Sequence, residues 1–348
     1  MTPIRILVTG VGGGGVGEQI LKCLELSSLD YYVVGCDMST ASTGFSKTDI
    51  HYVVPKASEG GYKEALLSIC KKSHIDVIFP GSEPELKVIS AQRKEFENLG
   101  ICVPLNPREV IELCMDKNRT MNFIAEAGFP TLRYWKIKDR KDIEGIDVFP
   151  LVLKPSIGGG GSNNTFIAQN KDELGLFGSY LCTIYDEFIV QEYIGDTEHE
   201  YTVGVLFSEH GEYINSIAVR KNIMSGLSNK IRTKNRTGKK ELGDMLAISS
   251  GVSQGDIGRF EEVTIPSRKI GEKIGATAAI NIQCRIHNGE MIVFEINPRI
   301  SGTSSMRALA GFNEPEMLIR ERLLGEQIEE DFEYKEGTIL RGLYEVFI

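Results

Sequence analysis

Two apolar runs between Ala278 and Asn297 flank His287-Asn288-Gly289, and this pattern constrains the chain more than any other: it demands an antiparallel hairpin with one polar face. A two-residue Asn-Gly turn pairs Gln283 with Phe294 and sets Asn281 beside Ile296, which mixes polar and apolar side chains on both faces. A three-residue loop with Gly289 in the left-handed region pairs Gln283 with Val293 and Asn281 with Glu295, and the faces then separate. Ile280, Ile282, Cys284, Ile292, Phe294 and Ile296 share one side, and Asn281, Gln283, Arg285, Glu295 and Asn297 share the other. The three-residue register is the one expected.

The polar face carries hard oxygen donors. Magnesium or manganese takes one or two carboxylates together with substrate phosphates and water, a demand that Glu295 and Asn297 meet, with Gln283 beside them. Pro298 stops the strand, and Arg299 stands at its end, suited to a bidentate grip on a phosphoryl oxygen or a carboxylate. On spacing alone, the same residues also describe a solvated polar face.

Two further stretches bear on phosphate and nucleotide chemistry. Leu151 to Pro155 is a short apolar strand that delivers Lys154, and Gly158, Gly159, Gly160, Gly161 and Ser162 follow as a flexible loop able to lay N–H groups against phosphate oxygens. The lysine precedes the glycines, the reverse of a Walker A loop. Phe188 to Ile194 then reads as a strand leading into Gly195, with Glu198 and Glu200 opening the next strand. Such a segment exposes backbone groups that read adenine edges, and a carboxylate there accepts ribose hydroxyls.

In this order, Lys154 with its glycine loop, Gln191 to Ile194, Glu198 and Glu200, then Gln283, Glu295, Asn297 and Arg299 resemble the ATP-grasp superfamily. The likeness spans roughly residues 110 to 325 and is greatest to the ATP-binding halves of the carbamoyl phosphate synthase large subunit and related carboxylate-amine ligases. Asp116-Lys117-Asn118-Arg119-Thr120 resembles the helix that opens such domains. The resemblance implies that Lys117 and Lys154 hold ATP phosphates under the Gly158–Ser162 loop, and that Gln191, Glu192, Tyr193 and Ile194 frame adenine. It gives ribose to Glu198 or Glu200, the metal to Gln283, Glu295 and Asn297, and the transferred phosphoryl group to Arg299. One position departs. Where the synthase pattern has a further arginine after a serine, this chain reads Ser301-Gly302. Its 348 residues also suffice for only one ATP-grasp unit. The expectation is therefore a ligase that activates a carboxylate larger than bicarbonate and joins it to an amine or ammonia. The resemblance implies small-molecule carboxylate and amine substrates and admits a homodimer.

The N-terminus offers a rival. Ile4 to Thr9 is a buried-type strand, Gly10 to Gly17 matches G-x-G-x-x-G in two frames, and Val33 to Asp37 is a second strand ending in an acid, as in a nicotinamide-dependent oxidoreductase. ATP-grasp ligases also open with a Rossmann-like domain, and no dehydrogenase fold explains the later stretches. A non-catalytic nucleotide-binding regulator is the other alternative. Ligands of open α/β sheets sit off the carboxyl ends of strands, so Gly12, Gly13, Gly14 and Glu83 are substrate-site candidates, together with Ser301. Glu83 equally suits a helix N-terminus.

Arg220 to Gly243 holds the one basic concentration of an acidic chain, net charge −9. A substrate carboxylate beside ATP needs countercharge, which Arg220 and Arg232 are placed to supply, Arg220 being grouped with Arg299 and Lys154 as catalytic. No aromatic residues interleave with these cations, and the net charge disfavours nucleic acid and membrane surfaces as partners. Seven cysteines without CxxC or metal spacing read as reduced thiols of a cytoplasmic protein, and neither a signal peptide nor a membrane span is expected. The fold expected is α/β and α+β. A Rossmann-like doubly wound domain over 1–110 precedes an ATP-grasp fold of two α+β subdomains over 111–348, with a lid over about 120–195 and a metal- and phosphate-binding part over about 196–348. A helix over Ser267–Ala279 and a last strand over Thr338–Phe347 complete it.

Overall fold

The computed structural model describes residues 2–158 and 162–346. The chain opens with β1 (Ile4–Thr9), α1 (Val16–Glu25), β2 (Tyr31–Asp37), β3 (Ile50–Val53), α2 (Tyr62–Ser73), β4 (Val77–Phe79), α3 (Glu83–Ala91) and α4 (Arg93–Glu97). The four strands are parallel in the order β3-β2-β1-β4, the Rossmann-like arrangement that the alternating pattern predicts. Glycine at 17 is a packing requirement, because a Cβ there would collide with the Gly10 carbonyl where α1 crosses the end of β1.

Next come α5 (Arg108–Met115), α6 (Lys117–Glu126), β5 (Tyr134–Ile137), β6 (Leu151–Pro155), β7 (Phe166–Ala168), α7 (Lys171–Leu181) and β8 (Phe188–Glu192). Asp116 caps α6 by accepting from the Asn118 and Arg119 N–H groups at 2.9 and 3.2 Å. The Lys117 N–H donates to the Ser156 carbonyl at 3.0 Å, which fixes the first turn of α6 against the end of β6. The antiparallel sheet β5-β8-β6-β7 thus brings Lys117 and Lys154 to the same edge.

The remainder comprises β9 (Glu200–Phe207), β10 (Tyr213–Lys221), β11 (Asn229–Lys234), β12 (Met245–Ser249), β13 (Gly255–Gly258), α8 (Glu261–Ile274), β14 (Ile280–His287), β15 (Glu290–Asn297), α9 (Ser304–Leu309), α10 (Glu314–Arg322) and β16 (Gly337–Ile339). An antiparallel sheet runs β15-β14-β9-β10-β13-β16, while β11 and β12 form a separate hairpin. One face of the large sheet packs on α8, and the other on α9, α10 and the first unit, where Ile20, Leu24, Leu206, Ile217, Phe312 and Leu318 share a core. Helix α8 starts and stops earlier than Ser267–Ala279, since Gly275 at φ +77° ends it in the left-handed conformation. Of the expected strand 338–347, whose last residue lies outside the described residues, the described part is reduced to Gly337–Ile339 because its partner β13 is only four residues long.

The β14–β15 hairpin corrects the expected register. Asn288 and Gly289 both have positive φ, and His287 pairs with Glu290, so the turn has two residues. A bulge then shifts the ladder: Cys284 faces Val293, but Gln283 faces Glu295 and Asn281 faces Asn297. The extra residue is Phe294. It brings Glu295 and Asn297 to the face of Gln283 and Asn281 without a three-residue loop, while Ile292 and Phe294 stay on that face as well.

Beneath this hairpin, Arg307 of α9 is fully buried, bonding Glu314 at 2.9 Å and Asn281 at 2.7 Å. Gly204 of β9 leaves room for it, since a Cβ there would strike the guanidinium. Glu314→Ala strands that guanidinium and is expected to cost about 3–5 kcal/mol in urea denaturation. A loss below about 1 kcal/mol would show that the pair does not hold α9 under the sheet.

Candidate functional site

The three units enclose a cleft of about 460 Å³. Its floor is the polar face of β9, β14 and β15; its roof is the β5-β8-β6-β7 sheet; and its far end is closed by the N-terminal glycine loop with residues 249–252 and 301–303. The cleft brings together Gly13, Gly14, Glu83, Lys117, Lys154, Ser162, Gln191, Glu192, Tyr193, Ile194, Glu200, Gln283, Glu295, Asn297, Arg299 and Ser301 from the expected set. Gly12, Gly158, Glu198, Arg220 and Arg232 are not part of its lining, and Gly159, Gly160 and Gly161 lie outside the described residues.

At the centre, Lys154 is buried and donates to the Phe294 carbonyl at 3.3 Å. Gln191 reaches the same oxygen at 3.5 Å, so the bulge supplies the point where roof meets floor. Burial, reinforced by the nearby Lys117, lowers the Lys154 ammonium to about 8 despite the opposing pull of Glu295. Glu295 lies 3.9 Å from Lys117. Burial raises its carboxyl, but Lys117, Lys154, Arg299 and Lys221 outweigh that and hold it below the usual carboxylate range.

Among the described residues, no group of three or more His, Cys, Asp or Glu forms a ready metal cage. The hard donors available to a divalent ion are the Glu295 carboxylate and the Asn297 amide oxygen, which Arg299 also approaches at 3.4 Å. The third expected ligand is otherwise engaged: the Gln283 oxygen accepts from the Lys221 ammonium at 2.9 Å. The donor set therefore fits magnesium or manganese only with phosphate and water completing the shell.

Glu200 is likewise committed. One carboxylate oxygen accepts from Lys221 at 3.1 Å, and the other takes a two-pronged contact from Arg285 at 2.9 and 2.8 Å. Burial would raise this carboxyl, yet Lys221 and Arg285 bring it down to about 2. Arg285 also bonds the Ile194, Gly195 and Ala247 carbonyls and stacks on Tyr193, fixing the segment after β8. Glu198 is exposed and outside the cleft lining, so neither acid offers the cleft an unengaged carboxylate. The Glu192 side chain turns away to Arg133, at 2.8 and 2.9 Å.

Lys221 and Arg285 were missed because burial decides their role. Strand alternation sends neighbouring residues to opposite faces: Lys221 enters the cleft, whereas Arg220 points out and pairs with Asp256 at 2.7 Å. Arg232 sits on the exposed face of β11. The two-residue turn sets Ile292 opposite Arg285 and so leaves Ile292 and Phe294 on the cleft side, where with Val152 and Leu132 they form an apolar slot beside Tyr193 and Ile194. These two had been assigned to the core face. Alternation cannot reveal a bulge.

At the far end, Arg299 pairs with Glu83 of the first unit at 3.1 Å. Gly302 cannot be larger, because a Cβ would lie 2.5 Å from the Gly251 carbonyl, which explains the departure from the synthase arginine. The Asp37 carboxylate accepts from the Gly12 and Ser39 N–H groups at 2.8 and 2.9 Å, so it is spent on the glycine loop instead of facing a dinucleotide ribose. Among the described residues, no helix is long and apolar enough to cross a membrane.

The chain matches two family descriptions, "PylC-like, N-terminal domain" over residues 6–104 and "ATP-grasp in the biosynthetic pathway with Ter operon" over residues 249–343. It is 24% identical over 324 residues to the carbamoyl phosphate synthase large chain of Thermoplasma acidophilum, covering 88% of this chain but 29% of the synthase. Among solved structures, the L-amino acid ligase of Bacillus licheniformis aligns with a TM-score of 0.65 at 16% identity, over 92% of this chain and 74% of that one. The N5-carboxyaminoimidazole synthetase of Staphylococcus aureus complexed with ADP also gives 0.65, at 15% identity, over 95% and 80%. At such identities the structural likeness shows the fold, that of the ATP-grasp ligases, and the sequence matches at both ends of the chain are similar to the same group.

Proposed function

We propose that this chain is an ATP-dependent carboxylate-amine ligase that uses magnesium or manganese. The observation that carries this reading is the convergence of Lys117, Lys154, Glu295, Asn297 and Arg299, from all parts of the chain after residue 110, in one cleft with an apolar slot beside a rigid strand. Adenine fits the slot between Val152 and Phe294, with the backbone of 192–194 at its edge. Lys117 and Lys154 hold the phosphates. Glu295 and Asn297 hold the divalent ion, which when bound neutralises charge on the phosphates.

A substrate carboxylate oxygen attacks the γ-phosphorus as its bond to the β-phosphate oxygen breaks, giving an acyl phosphate and ADP. The amine nitrogen then attacks the acyl carbon, phosphate leaves, and the amine gives up a proton. Arg299 stands where the transferred phosphoryl group and the acyl phosphate need a cation. Gly13, Gly14 and Ser301 line the end where the substrates meet. The absence of a second arginine at 302 supports a carboxylate other than bicarbonate. Small-molecule substrates and a cytoplasmic setting belong to the same reading, as does dimer formation. Glu200 serves in it as a strut under the site and not as the ribose ligand.

Three outcomes test this. Glu295→Gln is expected to abolish magnesium-dependent ATP binding in calorimetry, and ADP release across a panel of amino acids and hydroxy acids should identify the substrate; tight NAD binding indifferent to the substitution would sink the reading. Because phosphate binding needs Lys154 charged and its ammonium titrates at about 8, MgADP affinity should weaken above that pH by up to about tenfold per unit. Lys154→Met should bind weakly with no such slope. Glu200→Gln leaves Lys221 and Arg285 buried without their carboxylate and should cost about 3–5 kcal/mol of stability. The ionised Glu200 stabilises the fold above the usual carboxylate range, and this share is lost as pH falls toward about 2. A variant of normal stability with a raised KM for ATP would return Glu200 to the ribose.

A further inference from the structure

Residues 220–240 contain eight lysines and arginines and no acidic residue, in a chain whose net charge is −9. Three of the eight are accounted for: Lys221 is buried on Glu200, Arg220 pairs with Asp256, and Arg236 pairs with Glu173. Among the described residues, Lys230, Arg232, Lys234, Lys239 and Lys240 have no carboxylate within ion-pair distance.

Three of these five form a line. On β11, Lys230, Arg232 and Lys234 are exposed, while Asn229, Ile231 and Thr233 between them are half-buried, and Ile231 packs toward Tyr193 and Leu246. Period-two alternation therefore sets the three cations on one face at a spacing of roughly 7 Å. The strand lies in a two-stranded hairpin with β12 as its one strand partner among the described residues, and at its end the Lys234 carbonyl accepts from Gln169 at 3.0 Å. Its cationic face is continuous with the reaction centre, because Lys230 lines the cleft alongside residues 249–252 and Gly302.

We propose that the carboxylate substrate is an acidic peptide, docked in extended form along β11 with its side-chain carboxylates on Lys230, Arg232 and Lys234 and its reacting carboxyl in the cleft beyond Lys230. This names the substrate class of the ligase reading above, with a short peptide in place of the small-molecule carboxylate, and rests on that reading. The geometry favours such a ligand over other anions. Carboxylates on one face of an extended peptide repeat at the same spacing as the ridge, and an edge strand offers free backbone groups to a further strand. A compact polyphosphate calls for converging cations, whereas a straight strand spreads them. Residues 220–240 contain no aromatic side chain on which a nucleic-acid base would stack. The net charge of −9 disfavours non-specific docking of an acidic peptide elsewhere on the chain.

The test is fluorescence anisotropy of fluorescein-labelled hexaglutamate with the full chain at low ionic strength, and hexaglutamine and labelled oligothymidylate as comparators. Hexaglutamate should bind and hexaglutamine should not. The double variant Arg232→Glu/Lys234→Glu, at two exposed positions outside the cleft lining, should weaken hexaglutamate by at least about tenfold. Lys71→Glu/Lys72→Glu on α2, also exposed, should leave it unchanged. Unchanged affinity in the β11 variant, an equal loss in the α2 variant, or tighter binding of oligothymidylate would overturn the proposal, the last assigning the ridge to nucleic acid. MgADP binding, measured in parallel, separates the two readings: retained MgADP with no hexaglutamate binding overturns the peptide alone, and ridge-dependent hexaglutamate binding without MgADP overturns the ligase.

Discussion

The cleft depends on one buried carboxylate. Glu200 opens β9 and is enclosed by Lys221 from β10 and Arg285 from β14, and through these two cations it organises the site. Lys221 spends its remaining protons on Ser249 at 2.8 Å and Gln283 at 2.9 Å, and Arg285 reaches back to the carbonyls of Ile194, Gly195 and Ala247. Central sheet, connecting segment and β12 are thereby tied at a single point. Burying three charges costs several kcal/mol each, and such a cluster is tolerable only when hydrogen bonds satisfy its atoms. Here all three charged groups are engaged. What the cluster supplies is a fixed floor from which Glu295 and Asn297 project.

The bulge at Phe294 acts on that floor. By inserting one residue it turns Glu295 and Asn297 to the same side as Gln283 and Asn281, and it presents the Phe294 carbonyl to Lys154 and Gln191. The second effect matters as much as the first. A carbonyl is a weak partner for an ammonium, so Lys154 is desolvated without being neutralised, and burial lowers its pKa to about 8. An incoming phosphate oxygen offers that ammonium a far better partner. The regular ladder of an unbulged hairpin holds its carbonyls in strand pairing and would leave Lys154 without this contact.

The parts of the site that were legible in the sequence lie at the ends of elements. Lys117 follows a capping aspartate, Lys154 closes an apolar strand before glycines, and Glu295 to Arg299 run into a proline; each position is marked by its neighbours. What sequence could not give was set by pairing and burial. The facial argument correctly placed Gln283 and Glu295 together but reached that result through the wrong loop, since a bulge unites these two as the longer loop would, yet leaves Ile292 and Phe294 on their face. Arg220 and Lys221 are adjacent and chemically alike, and only the strand's orientation decides which enters the cleft. Gln283 and Glu200 carry the right atoms for metal and ribose, yet both are claimed by cations distant in sequence. The long final strand failed for a similar reason, because a strand's length is limited by the partner it finds.

Arg299 connects the first unit to the proposed chemistry. Its guanidinium is paired with Glu83 at the start of α3, and both side chains are mostly buried, so the pair is weakly screened. In the ligase reading, the charge that Arg299 offers to a phosphoryl group is partly spent before substrate arrives. A second arginine at 302 would relieve that shortage, but the Gly251 carbonyl occupies the space its side chain needs. The N-terminal unit therefore does more than present a glycine loop. Through Glu83 it sets how much positive charge is free at the point of phosphoryl transfer, and an anionic substrate gains Arg299 only to the extent that it competes with that carboxylate.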